Sequence, residues 1–257
     1  MKLGNHKRTE WGGLATAEIL VQIDRVYSDP AIVSQRFFDA GPVKRIHISK
    51  RADLLVIRAG GRSVCVKYFH DGRLWVKIRT LIGLAKGRRG YIAGLRVAKA
   101  GVRVPEQLAC VECRPFGPTV VVMEMLENVC TAAGWFFNHR SEKGLVAIPR
   151  ALIDQFATFT ANLHRQGIFH CDFSPRNVMV QEKGDASQFV LIDLEDVRFH
   201  RLGNRRSCVQ NLARFARETV PHVSVYTVMR FLSAYIRSMG WNDRPSNLAR
   251  KIMRAPR

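Results

Sequence analysis

The sequence predicts an α+β chain of two lobes, a small antiparallel sheet with one helix followed by a mainly helical part. Three observations predict it. Residues 43–69 alternate apolar and polar side chains as short strands do, residues 84–100 carry helical spacing that stops at a glycine, and further amphipathic helical stretches gather beyond residue 149. A chain of 257 residues also exceeds the ~150 of a typical domain, which leaves room for two lobes around a cleft.

The strands come first. VKRIHI, DLLVIRA and SVCVKYF, with Gly60-Gly61 as a turn, form a hairpin or meander. In LAKGRRGYIAGLRVAKA, Leu84, Tyr91, Leu95 and Ala98 fall at helical spacing, and Gly101 stands where a helix C-cap belongs. After Pro105, QLACVE and TVVVMEML give two further strands. A polar, glycine-containing stretch from about Glu127 to Gly144 then links the lobes. The boundaries are accordingly 1–42 for an N-terminal extension, 43–126 for the first lobe and 127–257 for the second, which ends in a basic segment. From Pro149, which suits a helix start, Leu152, Ile153, Phe156, Phe159 and Leu163 share one helical face. GIFH, NVMV and QFVLID are short strands, and amphipathic helices at about 205–219 and 222–239 complete the chain.

Composition excludes several classes. With 47% hydrophobic and 24% charged residues the chain is neither a disordered tail nor collagenous. Apolar runs such as Val120 to Met123 fall far short of the ~18 residues that cross a bilayer. The N-terminus has no apolar signal segment, so a cytoplasmic protein is expected. The six cysteines (Cys65, Cys110, Cys113, Cys130, Cys171, Cys208) are therefore expected to stay reduced. Cys110 and Cys113 form one CxxC with no second pair, so they are expected as buried thiols on a strand, not as zinc ligands.

The net charge of +20 is concentrated. Residues 51–100 hold 12 basic and 2 acidic side chains, and residues 201–257 hold the same numbers. Two such segments draw polyanions, whether nucleic acid, anionic lipid headgroups or phosphorylated glycolipid; a solvated basic surface is the alternative.

The chemistry lies in His170-Cys171-Asp172-Phe173-Ser174-Pro175-Arg176-Asn177, an HxDxxxxN loop, with Asp193 following at a strand end. In phosphoryl transfer the attacking hydroxyl needs an acceptor for its proton, and metal ions bridge the phosphates. Asp172 suits the first role. Asn177 offers a neutral oxygen to Mg²⁺ and Asp193 a charged one. Upstream, Lys67 ends an alternating strand from which its ammonium can meet the α and β phosphates of ATP, and Glu124 to Leu126 offer backbone groups to adenine. The order of lysine, hinge, HxDxxxxN and aspartate is much more specific than any one of them.

On these residues the sequence resembles the protein-kinase-like superfamily, and within it the bacterial lipopolysaccharide core kinases that phosphorylate Kdo or heptose. The resemblance spans roughly Val43 to Phe215. Its carriers are CVKYF, GRRGYIAGLRVAKAGVRVPEQLACVE, LHRQGIFHCDFSPRNVMV, FVLIDLEDVRF and RSCVQNLARF. It implies a two-lobed protein-kinase-like fold, with 43–126 as N-lobe and 127–257 as C-lobe. It further implies Mg-ATP as cofactor and a lipid A-linked sugar of the lipopolysaccharide core as acceptor. Work at the inner face of the cytoplasmic membrane, in peripheral contact with its anionic surface, follows, and nucleic acid is not the expected partner. By the same resemblance Asp172 is the catalytic base, Asn177 and Asp193 hold metal, and Lys67, Glu124 and Leu126 bind nucleotide.

The chain departs from that pattern in places. The kinase helix after the lysine strand carries a glutamate, whereas here the matching stretch is Arg88-Arg89-Gly90-Tyr91, and between Lys67 and Glu106 the only acid is Asp71. No GxGxxG precedes Lys67, so phosphate cover is expected from an irregular loop near Gly41 to Lys50. The DFG-like triplet is Asp193-Leu194-Glu195. Only 64 residues follow Asp193, too few for a full protein-substrate apparatus, which favours a small or glycolipid acceptor. Arg198, Arg201, Arg205 and Arg206 are candidates to hold acceptor phosphates, or ordinary surface arginines. His170 is expected to brace the loop. The basic run at 86–89 is either a solvated helix start or a phosphate contact, and Trp135, Phe136 and Phe137 are core or a lipid-facing edge. Two other functions fit: a kinase of another small molecule of aminoglycoside or choline type, which calls for an acidic pocket, and a pseudokinase scaffold at the membrane, motivated by the missing helix glutamate.

Overall fold

The computed structural model describes residues 7–12, 17–29, 32, 35, 38–49, 52–59, 61–70, 85–114, 118–139, 146–183, 186–200 and 204–256. The chain divides into two units, Met1–Arg96 with Pro105–Glu127, and Val97–Val104 with Asn128–Arg257.

In the first unit, alternation of valine, isoleucine and leucine with polar residues makes strands whose two faces meet different partners. The strands are β1 (Lys7–Gly12), β2 (Phe38–Ala40), β3 (Val43–Ile48), β4 (Ala52–Ala59), β5 (Arg62–Phe69), β6 (Gln107–Arg114) and β7 (Thr119–Glu124). They form one antiparallel sheet in the order β1-β6-β7-β5-β4-β3-β2. Gly61 turns between β4 and β5 with φ +77, a backbone state that glycine reaches without a Cβ penalty; its neighbour Gly60 lies outside the described residues. One face carries Leu55, Ile57, Val64, Val66, Val111, Val120 and Val122 against Ile19, Leu20, Ile23 and Val26 of α1 (Ala17–Tyr27). The other carries Ala52, Phe69, Cys110 and Val121 against Tyr91 of α2 (Lys86–Lys99).

A charged group is buried under α1. Arg45 and Asp53 are 2% and 1% exposed and pair at 2.9 Å. The Tyr27 hydroxyl donates to the same carboxylate, and His70 Nε2 lies 3.0 Å from its other oxygen. Burial alone would raise the Asp53 pKa. The hydrogen bonds of His70 and Tyr27 and the charge of Arg45 outweigh it and hold the carboxyl below its ordinary value.

Helix α2 forms as its spacing predicts, but it buries glycines along with Tyr91. Tyr91 is buried, but Leu95 is 47% exposed and Ala98 is exposed, while Gly87, Gly90, Gly94 and Val97 are buried; Leu84 lies outside the described residues. The reason is close approach. A Cβ on Gly87 would stand 2.5 Å from Thr119 Cγ2 and 3.0 Å from Phe69 Cδ2, so the glycines let the helix backbone lie on the sheet. Gly101 ends it at φ +77, as a C-cap glycine does. The irregular loop expected near Gly41 to Lys50 is instead a turn at Gly41-Pro42 leading into β3, with Lys50 outside the described residues.

The second unit holds β8 (Val129–Thr131), α3 (Ala132–Asn138), α4 (Arg150–Arg165), β9 (Ile168–His170), β10 (Val178–Lys183), β11 (Ala186–Leu191), β12 (Val197–Phe199), α5 (Arg205–Thr219), α6 (Val225–Met239) and α7 (Pro245–Met253). The supposed linking stretch after Glu127 is thus ordered into β8 and α3. Strand β8 pairs with β10, and Thr131 Oγ1 caps α3 by accepting from Gly134 N at 3.0 Å; residues 140–145 lie outside the described residues. Of the aromatic trio, Trp135 is buried and Phe137 is 73% exposed. Helices α4 and α6 run side by side in the same direction, since Arg150 meets Tyr226, Asp154 meets Arg230 and His164 meets Tyr235. Phe156, Phe159, Phe189, Phe215 and Phe231 cluster beside them. An apolar cavity of about 300 Å³ opens in this packing, walled by Leu152, Phe156, Phe189, Leu212, Phe215 and Leu232 among others. Among the described residues no helix is long and apolar enough to cross a membrane.

Candidate active site

Strand β9 ends at His170, and the seven residues that follow turn back into β10. The short strand is too brief to hold this turn alone, so side chains fasten it. Asn211 of α5 clamps the His170 backbone at both polar groups, accepting from its N–H at 3.2 Å and donating to its carbonyl at 2.8 Å. Arg214, one turn further on, donates to the Cys171 carbonyl. The Cys171 N–H reaches the Asp196 carbonyl at 2.8 Å, and Ile192 N–H the Asn177 carbonyl at 3.1 Å, which ties the loop to the segment carrying Asp193. Phe173 and Ser174 are both 1% exposed and root the turn in the core.

His170 braces the loop as expected. Its Nδ1 accepts from the Asp172 N–H at 3.1 Å, so the ring proton sits on Nε2, which faces the carbonyls of Ile192 and Asp193 at 3.1 and 3.0 Å. One imidazole thereby positions both aspartates. Asn177 is 7% exposed, and its Nδ2 donates to the Asp172 carbonyl at 2.8 Å and to Asp172 Oδ2 at 3.1 Å. Asp172 and Asp193 are themselves exposed, and Asp193 adopts a left-handed backbone with φ 59, uncommon for a residue with a Cβ. The donor set suits a hard cation: with its nitrogen committed to Asp172, Asn177 presents an amide oxygen, and Asp193 adds a carboxylate.

The nucleotide candidates lie in the first unit. Lys67 pairs in register with Val121 and stands two residues before Phe69, so it faces the side of the sheet that α2 covers, and its Nζ lies 5.4 Å from the Phe69 ring centroid. The Glu124 N–H donates to the Glu106 carbonyl at 2.9 Å, while its carboxylate accepts from Glu106 N at 3.0 Å. Leu126 is half-buried between β7 and β8. Helix α2 carries Arg88 and Arg89, both half-buried with buried Nε atoms, so the 86–89 run is not a freely solvated start. Asp71 lies outside the described residues. The same face of the sheet does hold an acid: Glu112 on β6, 0% exposed, in the cross-strand row of Thr119 and Phe69.

Sequence reasoning missed Asn211, Arg214 and Glu112. A polar residue on the inward stripe of a helix, between Cys208 and Leu212, was the available signal for Asn211. Of the arginines proposed for the acceptor, Arg198 is exposed on β12 and Arg206 on α5. Arg205 is engaged by Asp243 and by the Trp241 ring at 4.6 Å, and Arg201 lies outside the described residues. Cys110 is a buried thiol on a strand, its pKa raised by burial to about 12; Cys113 lies on the same strand with its side chain outside the described residues.

The lipopolysaccharide kinase (Kdo/WaaP) family matches residues 85–235, more than half of the chain. A 3-deoxy-D-manno-octulosonic acid kinase of Pasteurella multocida is 26% identical over 173 residues, covering 64% of this chain and 68% of that protein. Among solved structures, WaaP in complex with acyl carrier protein superposes with a TM-score of 0.60 at 20% identity, over 84% of this chain and 87% of that one. The PknI kinase domain of Mycobacterium tuberculosis aligns over 86% of this chain and 99% of its own at 11% identity, with a TM-score of 0.45. An HxDxxxxN loop whose histidine positions two exposed aspartates, inside a stretch matched to one family, leads to the conclusion that this chain is a two-lobed, protein-kinase-like phosphotransferase acting on a sugar hydroxyl and belongs to the lipopolysaccharide kinase (Kdo/WaaP) family.

Proposed function

We propose that the protein transfers the γ-phosphoryl group of ATP to a hydroxyl of Kdo or heptose in the inner core of lipopolysaccharide, on a lipid A-linked acceptor at the inner face of the cytoplasmic membrane. The observation that carries this reading is the coupling of Asp172 to Asn177, with His170 as common support.

Asp172 accepts the proton of the attacking sugar hydroxyl. The hydrogen bond from Asn177 to one carboxylate oxygen fixes its plane and leaves the other for the hydroxyl, so the base is oriented before the acceptor arrives. Asn177 and Asp193 are the residues to hold Mg²⁺, which when bound neutralises charge on the phosphates. Lys67 adds a positive charge for the α and β phosphates, and the backbone at Glu124 and Leu126 hydrogen-bonds adenine. Most of the rate then comes from positioning and charge neutralisation.

The apolar cavity of the second unit supports an acceptor that brings a fatty acyl chain with it, since its walls offer almost no polar group. The acyl carrier protein bound by the solved relative is a partner of the same acyl-bearing chemistry. Both basic segments favour a phosphorylated glycolipid at an anionic surface.

The test is transfer of labelled γ-phosphate from Mg-ATP into extracted cell-envelope glycolipid by the wild type and by Asp172→Ala, with mass spectrometry of the labelled sugar. Label on Kdo or heptose that disappears in the variant is expected. A folded wild type that binds Mg-ATP yet labels no core sugar would overturn the acceptor assignment.

A further inference from the structure

Two residues that line the apolar cavity are also largely exposed, Val225 at 78% and Met253 at 71%. A side chain that does both stands at the mouth. Tyr226, 55% exposed, follows Val225 at the start of α6, and the Arg150 guanidinium lies 5.6 Å from its ring centroid. On α7 and at its C-cap, Arg250, Met253 and Arg254 sit at i, i+3 and i+4 and are exposed, while Leu248 and Ile252 turn into the core. The mouth is therefore rimmed by three exposed apolar or aromatic side chains and three exposed arginines.

Among the described residues, the nearby acids are already paired: Asp154, one turn after Arg150, with Arg230, Glu218 with Arg176, and Asp243 with Arg205 and Lys251. An apolar rim in water is unfavourable, and arginines around it are unusual unless both meet a phase with an apolar interior and an anionic skin. A bilayer of acidic phospholipid is such a phase.

We propose that this mouth is the bilayer-docking face of the protein, with Val225, Tyr226 and Met253 entering the boundary between headgroups and acyl chains and Arg150, Arg250 and Arg254 pairing with lipid phosphates. The proposal rests on the reading that the acceptor is lipid-linked, and names the surface that reaches it. Helices α4 and α6 begin together at this face, and α4 is about 24 Å long, so their other ends point away from the membrane.

Co-sedimentation with vesicles tests it, using phosphatidylcholine alone and phosphatidylcholine mixed with phosphatidylglycerol. The full chain is expected to bind the mixed vesicles, and less as salt rises. Replacing Arg150, Arg250 and Arg254 together by alanine is expected to weaken binding on the order of 100-fold, and Val225→Ser with Met253→Ser at least 10-fold. Replacing Arg165, Arg237 and Arg244, which remove the same charge at the far ends of these helices, leaves binding nearly unchanged. Equal losses from the two arginine sets would show that net charge acts without a face and would overturn the proposal. So would a wild type that ignores mixed vesicles at low salt. Phosphoryl transfer to detergent-dispersed glycolipid separates the two readings: it survives in the triple-arginine variant if the kinase assignment holds, whatever the vesicles show.

Discussion

Asn177 donates the same amide nitrogen to both ends of Asp172, the main-chain carbonyl at 2.8 Å and the carboxylate at 3.1 Å. The two residues are five apart in sequence, and the pair closes the loop as it aims the carboxylate. Asp172→Ala keeps the bond to the carbonyl, so it is expected to lower kcat by about 10²–10⁴-fold while shifting stability by less than about 0.5 kcal/mol. Asn177→Ala loses both bonds at a buried position and is expected to lower kcat and also to cost about 1–2 kcal/mol. Turnover and urea midpoints of the two variants check this, and equal stability losses would refute it.

Asn211 satisfies both backbone groups of His170, so its removal leaves a buried donor and a buried acceptor unpaired. Asn211→Leu is expected to destabilise by about 1–3 kcal/mol and to reduce activity through a loosened loop. A urea midpoint equal to that of the wild type would remove the clamp from the account.

His164 is fully buried, with Nδ1 2.7 Å from the Tyr235 hydroxyl. Burial lowers its pKa to about 4, against a smaller opposing contribution from Asn211. The depressed value belongs to the folded state, so the stability it confers is complete above pH 6.5 and is lost as pH falls toward 4. Unfolding free energy is expected to drop by up to about 3 kcal/mol across that window. His164→Phe should flatten this part of the profile, measured by urea unfolding at several pH values.

Gly87 is the tightest point between α2 and the sheet. Gly87→Ala forces a methyl against Thr119 and is expected to cost about 1–3 kcal/mol despite the better helix propensity of alanine. Thr119→Ser removes the opposing Cγ2, so the double variant is expected to recover much of the loss, a coupling that a double-mutant cycle reads directly.

The parts legible in the sequence share a local signature. Alternation marked β3, β4 and β5, an apolar stripe marked α4, and loop spacing marked Asp172, Asn177 and Asp193. What escaped depends on distant partners. Strand β1 earns its place by pairing with β6 about a hundred residues later, which nothing in KRTEWG announces. In α2 the helical spacing is carried by large residues, of which Tyr91 is buried and Leu95 exposed, while glycines, which carry no apolar signal, face the sheet. Strand β8 and α3 are too short for a periodic pattern, and α7 went unread although Pro245 marks its first turn. Asn211 looked like an ordinary polar interruption because its partner is a backbone forty-one residues upstream.

The buried group around Asp53 draws its members from four separate segments, Tyr27 of α1, Arg45 of β3, Asp53 of β4 and His70 beyond β5. A version of the protein trimmed to start at the first clearly alternating strand would therefore lose more than a flexible leader. It would strip the phenol from the carboxylate and lift the apolar cover from a dry ion pair. That pair would then have to be rehydrated or broken, and a buried charge left without its partners costs about 3–5 kcal/mol. Helix α1 acts as a keystone for the strands after it.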